Sequence, residues 1–142
     1  MTDETTRPVA QERGELTLLL DGADMGLRPS YEAIQAIETS LGRGLVDLAR
    51  DGIAGKLSMS ETAQIATECI RAWGRDVEDK GAAGANAVRI AKLILDSDGG
   101  IYAAQKTVSA MLSLAVTGGY NSSGELKPSM TTEMTGSAPV DG

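Results

Sequence analysis

The chain has no histidine, no phenylalanine, one cysteine, one tryptophan and three tyrosines in 142 residues. Without histidine, the commonest general base and metal ligand at neutral pH is missing. A single cysteine, Cys69, closes no internal disulfide, which fits a reducing compartment. So few aromatics exclude broad stacking surfaces for bases or sugars and leave the core to Leu, Ile, Val, Ala and Met. Positive charge is also short: 13 Lys and Arg stand against 20 Asp and Glu, a net charge of −7. That is the wrong balance for a nucleic-acid binder, which needs clustered cations to displace phosphate counterions, and for an anionic membrane surface. No apolar run approaches the roughly 18 residues of a membrane span. The opening MTDETTRPVAQERG has neither the basic start nor the apolar segment of a secretion signal, so a cytoplasmic protein is expected.

What is present is concentrated in residues 14–48, where strand, turn and helix signals follow one another without a gap. Leu16, Leu18, Leu19 and Leu20, then Asp21-Gly22, then a second short run through Met25 and Leu27, predict a β-hairpin turning at Asp21-Gly22. Glycine accepts positive φ without steric cost and aspartate tolerates it better than most, which suits a two-residue turn. Pro29 has no N–H to give a ladder, so it ends the second strand, and its fixed φ suits the start of a helix. Tyr31, Ile34, Ile37, Glu38 and Leu41 then fall at helical spacing, with Gly42 as the stop.

The runs RGELTLLLDG and LRPSYEAIQAIETSLGRGLVDLA resemble the opening of the small gene-transfer-agent and phage tail assembly chaperone family, also labelled a tail tube family. The shared positions are Gly14, Glu15, Asp21, Gly22, Leu27, Arg28, Pro29, Tyr31, Ile37, Glu38, Leu41, Gly42 and Gly44, and their order and spacing carry the likeness. It is specific over residues 13–49, looser to about 116 and absent from both ends. The resemblance implies a small cytoplasmic protein that holds the tape-measure protein and recruits tail tube subunits, then leaves the particle. Self-association is left open.

Further along, residues 44–54 predict a second short helix with Leu45, Leu48, Ala49 and Ile53 inward. Ser58-Met59-Ser60-Glu61 is a capping box that starts a third helix at Met59, with Ala63, Ala66, Ile70 and Trp73 on one face, stopping near Gly74. Residues 75–84, charged and glycine-containing, are expected to be a mobile loop. A fourth helix over 85–95 is expected to face the core with Val88, Ala91 and Leu95, flanked by Ile90 and Ile94. A fifth over 101–116 turns Ile101, Ala104, Val108, Met111, Leu112 and Ala115 inward. Residues 1–11 and 119–142 are too polar to offset a chain entropy of about 1–2 kcal/mol per residue and are expected to be a disordered leader and tail around one domain at 12–118. The expected fold is α+β, mainly α: an N-terminal hairpin followed by a compact bundle of about five short helices. Its core would gather Ile34, Ile37, Leu41, Leu48, Ile70, Val88, Leu95, Val108 and Leu112.

No motif carries chemistry. Cys69 sits in a helical apolar pattern with no histidine to activate it, so a packing role is expected. DSDGG at 96–100 lacks the later ligands and closing glutamate of a calcium loop. Gly81-Ala-Ala-Gly84 and Gly42-Arg-Gly44 lack the strand and Lys-Ser or Lys-Thr of a phosphate loop. Neither an enzyme nor a cofactor is expected. The candidate partner-binding residues are instead Glu15, Arg28, Tyr31 and Glu38, at the hairpin-to-helix junction. For Arg28, a binding role and a structural pair with Glu32 or Glu38 stand level. Tyr31 and Trp73 at helical spacing are more often core than contact. The rival to a chaperone is a structural component of the tail tube or head–tail junction, or an acidic adaptor unrelated to tails. Long-tail tube subunits would be sheet-rich rings, and one hairpin supplies few strands for that.

Overall fold

The structure is a computed structural model and describes residues 15–20 and 22–128. The leader at 1–11 and the end of the tail at 129–142 lie outside the described residues. A two-stranded antiparallel sheet, β1 (Thr17–Leu18) and β2 (Met25–Gly26), opens the fold. Six helices follow: α1 (Tyr31–Leu41), α2 (Leu45–Ile53), α3 (Met59–Val77), α4 (Lys80–Ala83), α5 (Ala87–Asp96) and α6 (Gly100–Val116). The mainly helical α+β class is as the sequence implies, with one helix more than expected.

The hairpin has the expected register. Thr17 pairs with Gly26 and Leu18 with Met25. The ladder extends outward through Leu27 N–H to the Leu16 carbonyl and ends at Ala23 N–H donating to Leu20 O, both at 2.9 Å. That bond closes the connection between the strands, in which Gly22 takes φ +77°; Asp21 lies outside the described residues. Alternation buries Leu18 and Leu20 and turns Leu19 out. Gly26 lies flat on the Trp73 indole; a Cβ there would fall 2.5 Å from the ring.

α3 is the central helix, with the sheet, α1, α4, α5 and α6 all packed on it. Its capping box forms as read: Glu61 N–H donates to Ser58 Oγ and Ser58 N–H to the Glu61 carboxylate, both at 3.0 Å. Ala63, Ile65, Ala66, Cys69, Ile70 and Trp73 are all buried along it. α2 runs along α6, where Ser109 Oγ donates to the Gly52 carbonyl at 2.9 Å.

Four expectations are corrected. α3 does not stop at Gly74 but continues to Val77, and the expected loop at 75–84 is mostly the end of α3 and α4. Gly74 stays helical because it lets α4 pack against it: a Cβ there would strike Ala82 and Ala83. α5 presents Ile90 and Ile94 to the core, leaving Val88 66 % and Leu95 54 % exposed. The expected face, centred on Val88, Ala91 and Leu95, was one step around the helix from the buried one. Ile53 is exposed at the end of α2, while Ile34 and Leu41 are half-buried rather than core.

The fourth correction concerns the boundary at residue 118. Residues 119–128, expected as the start of a disordered tail, fold back on the domain. Tyr120 bridges Leu126 antiparallel. Tyr31 N–H donates to the Ser122 carbonyl at 2.9 Å, tying this return to the start of α1. Gly124, at φ +79°, sits so close to Arg28 and Ser30 that a Cβ would come within 2.6 Å of the arginine side chain.

Candidate partner-binding surface

Where β2 hands over to α1, the chain must turn across α3. The Arg28 N–H donates to the Cys69 carbonyl at 3.1 Å, and Ser30 then caps α1, its Oγ accepting from Ala33 N–H at 3.1 Å. These bonds draw the Arg28 side chain inward, to 3 % exposure. Its guanidinium bonds Glu15 at the start of the hairpin and Asp76 near the end of α3. Burial works against the cation, but the hydrogen bonds and charges of Glu15 and Asp76 outweigh it and hold Arg28 above its ordinary value. The Glu15 carboxylate is buried with it, while Asp76 is half-exposed. Around the outer side lies a polar recess of about 290 Å³ lined by Arg28, Ser30, Glu32, Arg75, Asp76 and Ser123, among others.

The candidates from sequence therefore divide. Glu15 and Arg28 are brought together, but inside the fold. Arg28 pairs with Glu15 and Asp76, neither of which is the Glu32 or Glu38 considered from sequence, because α1 points those two carboxylates to solvent. The Glu38 carboxylate reaches across the loop to accept from Leu45 N–H at 2.8 Å, supplying the cap that Gly44 cannot. Tyr31 opens α1 and is 58 % exposed, so it is a surface residue rather than the core one expected. Trp73, by contrast, is core as expected.

Sequence reasoning missed Arg43. Its guanidinium bonds Asp47 at 2.8 Å, Asp51 at 2.6 Å and Glu61 at 2.6 Å, joining the α1–α2 loop to α2 and to the cap of α3. The hydrogen bonds to Asp51, Asp47 and Glu61 raise its pKa. The signal was there: acids four and eight residues after Arg43 share one face of the helix it precedes.

Several large apolar side chains are also exposed. Leu19 is 68 % exposed beside a small cleft of about 90 Å³ between β1 and the start of α6. With only two strands, the sheet leaves one edge of each strand unpaired by another strand among the described residues. Tyr102, exposed on α6, has the Lys106 ammonium 5.4 Å from its ring centre. A larger groove of about 390 Å³ runs between α3 and α5. Burial, with Glu68 beside it, pushes the Cys69 thiol well above its ordinary value, so no thiolate forms near neutrality. Among the described residues no group of three or more His, Cys, Asp or Glu could hold a metal. No helix among them is long and apolar enough to cross a membrane.

The family model described as phage tail tube protein, GTA-gp10, matches residues 13–118. The chain belongs to that family. The matched segment takes in the hairpin, the Arg28 junction and all six helices, while the return at 119–128 lies beyond it. Membership of the GTA-gp10 family makes this a tail-related protein of a phage or gene transfer agent. No curated protein and no solved structure matches the chain at a significant level.

Proposed function

We propose that this GTA-gp10 family protein is a cytoplasmic tail assembly chaperone that binds the tape-measure and tail tube proteins during tail morphogenesis, without covalent chemistry, metal or cofactor. The observation that carries the reading is the hairpin. Leu19 stands exposed on a strand pair tied to α3 by the Arg28–Glu15–Asp76 cluster, a surface suited to an extended or apolar segment of an unassembled partner. Tyr31 adds an exposed aromatic at the start of the next element.

The test is co-expression with the tape-measure and tail tube proteins of the same system, followed by affinity capture. The wild-type chain retains one or both, and Leu19→Asp weakens capture at unchanged melting temperature, because Leu19 contributes little to the core. Failure of the wild-type chain to retain either protein would overturn the reading. A second reading, a structural component of the tail tube or head–tail junction, is favoured by the family's own description as a tail tube protein. Against it, the hairpin and one isolated bridge are all the β-structure among the described residues, little from which to build a sheet-rich ring.

A further inference from the structure

The return at 119–128 bonds mostly to itself. Lys127 N–H donates to the Gly119 carbonyl, Asn121 N–H to the Glu125 carbonyl and Gly124 N–H to the Asn121 carbonyl, each at 2.9 Å. The Asn121 side-chain oxygen also accepts from the Ser123 and Glu125 N–H groups. Beyond Gly119, one backbone bond among the described residues, Tyr31 N–H to the Ser122 carbonyl, joins the return to the domain. Of its residues only Gly119 and Gly124 are buried, and Tyr120 and Leu126 are half-buried. Gly118, at φ +84°, stands at its base. We propose that the return is a latch, which lifts off the folded domain and yields its seat on the hairpin-to-α1 junction to an extended segment of the tape-measure or tail tube protein. The identity of that occupant rests on the chaperone reading above.

A segment with little buried apolar surface and largely exposed backbone bonds opens at a cost well below that of unfolding the whole domain. Tyr120 is the one described side chain of the return that packs against the core cluster, and it does so at the edge. The hairpin and all six helices lie within the segment that the family model matches, which ends at residue 118, before the return begins. Closing the latch also carries a penalty of its own. The Tyr120 hydroxyl is buried without a hydrogen-bond partner, and so is Nε of Arg28, whose stem lies against Gly124. A polar group buried unpaired is destabilising, so lifting the return relieves part of the cost of exposing Tyr120.

The seat itself says what can replace the return, because it is filled by backbone. Gly124, at φ +79°, rests on the main chain of residues 28–30, where a Cβ would come 2.7 Å from the Ser30 nitrogen and 2.9 Å from the Pro29 carbonyl carbon. Tyr31 is the first residue of α1, so its N–H has no partner within the helix and relies on the Ser122 carbonyl. An incoming segment supplies the same two things: a main-chain carbonyl for the Tyr31 N–H and a glycine over residues 28–30. The exposed Tyr31 ring and the polar recess bordered by Ser123 lie beside this line and receive its side chains. The occupant is thus an extended peptide rather than the face of a folded domain.

Native-state amide exchange of the full chain, free and with the tail protein it captures, tests this. Off its seat a two-stranded return is too small to keep its own bonds. In the free chain the Tyr31, Asn121, Gly124 and Lys127 amides therefore exchange together, at least about a hundredfold faster than the buried amides of α3. With the partner bound, Tyr31 exchanges more slowly while the three amides of the return exchange faster. Gly124→Ala, which sets a methyl group against Arg28 and Ser30, speeds Tyr31 exchange in the free chain and tightens capture. Tyr120→Phe, which removes the unpartnered hydroxyl, slows that exchange and weakens capture, each change being roughly fivefold. Exchange of the return only at the rate of α3 would overturn the latch. Capture indifferent to both variants, or a bound state in which the return stays protected, would overturn its displacement. A wild-type chain that retains neither tail protein would overturn the displacement together with the chaperone reading, and the exchange of the free chain distinguishes that result from a latch that never opens.

Discussion

Arg28 and Glu15, thirteen residues apart in the chain, are buried against one another where the hairpin's first strand begins and its second ends. With Asp76 they lock the hairpin to α3. Removing one member of a buried pair leaves the other charged and unpaired, at a cost of about 3–5 kcal/mol. Arg28→Glu, which places a third carboxylate there, is expected to unfold the domain or lower its melting temperature sharply. Glu15→Gln, which keeps a hydrogen-bond acceptor, should cost less. Urea denaturation of the two variants checks the order.

The orientation of α5 gives a second expectation. Ile90→Ala should cost about 2–5 kcal/mol, because it opens a cavity in the core. Val88→Ala should cost less than about 0.5 kcal/mol, because that side chain faces solvent. Equal losses at the two positions in chemical denaturation would mean the helix is rotated from the orientation described.

Glu61 sets a pH dependence. The Ser58 N–H and the Arg43 guanidinium, against the opposing effect of burial, hold its carboxyl below its ordinary value of about 4.5. The folded form therefore gains stability from ionised Glu61 above about pH 4.5, and loses it as pH falls through the depressed folded value. Melting curves of wild type and Glu61→Gln between neutral pH and pH 3 should be separated near neutrality and converge on acidification.

Much of this was legible in the sequence. The hairpin register follows from Asp21-Gly22 between two apolar runs, and α1 is bounded by Pro29, whose φ is fixed, and by Gly42, which is free to take the φ of +65° that ends it. The Ser58–Glu61 box fixed the start of α3 for the same reason: local hydrogen-bond chemistry decides it. What failed depends on tertiary packing. α5 carries apolar residues on more than half its circumference, Val88, Ile90, Ala91, Ile94 and Leu95, so periodicity alone could not select the inward face. Gly74 read as a stop because its role, close approach of α4, needs residues not yet placed in space. Arg28 was singled out as a candidate, but its partners lie 13 and 48 residues away, beyond the reach of local spacing.

The return at 119–128 yields a truncation test. A chain ending at Gly118 loses the Tyr31–Ser122 bond and the Gly124 packing over Arg28, and should melt lower than the full chain. A chain ending at Pro128 keeps these contacts and should melt close to the full chain. Equal melting temperatures for the two truncations would show that the return adds nothing to stability.

The central claim is that this protein serves assembly without staying in the tail. Quantitative mass spectrometry of purified particles, set against the producing lysate, tests it most directly. The account predicts abundant protein in the lysate and none, or far less than one copy per particle, in the particles. A constant number of copies per particle, comparable to that of the tail tube protein, would contradict it and establish the structural reading in its place.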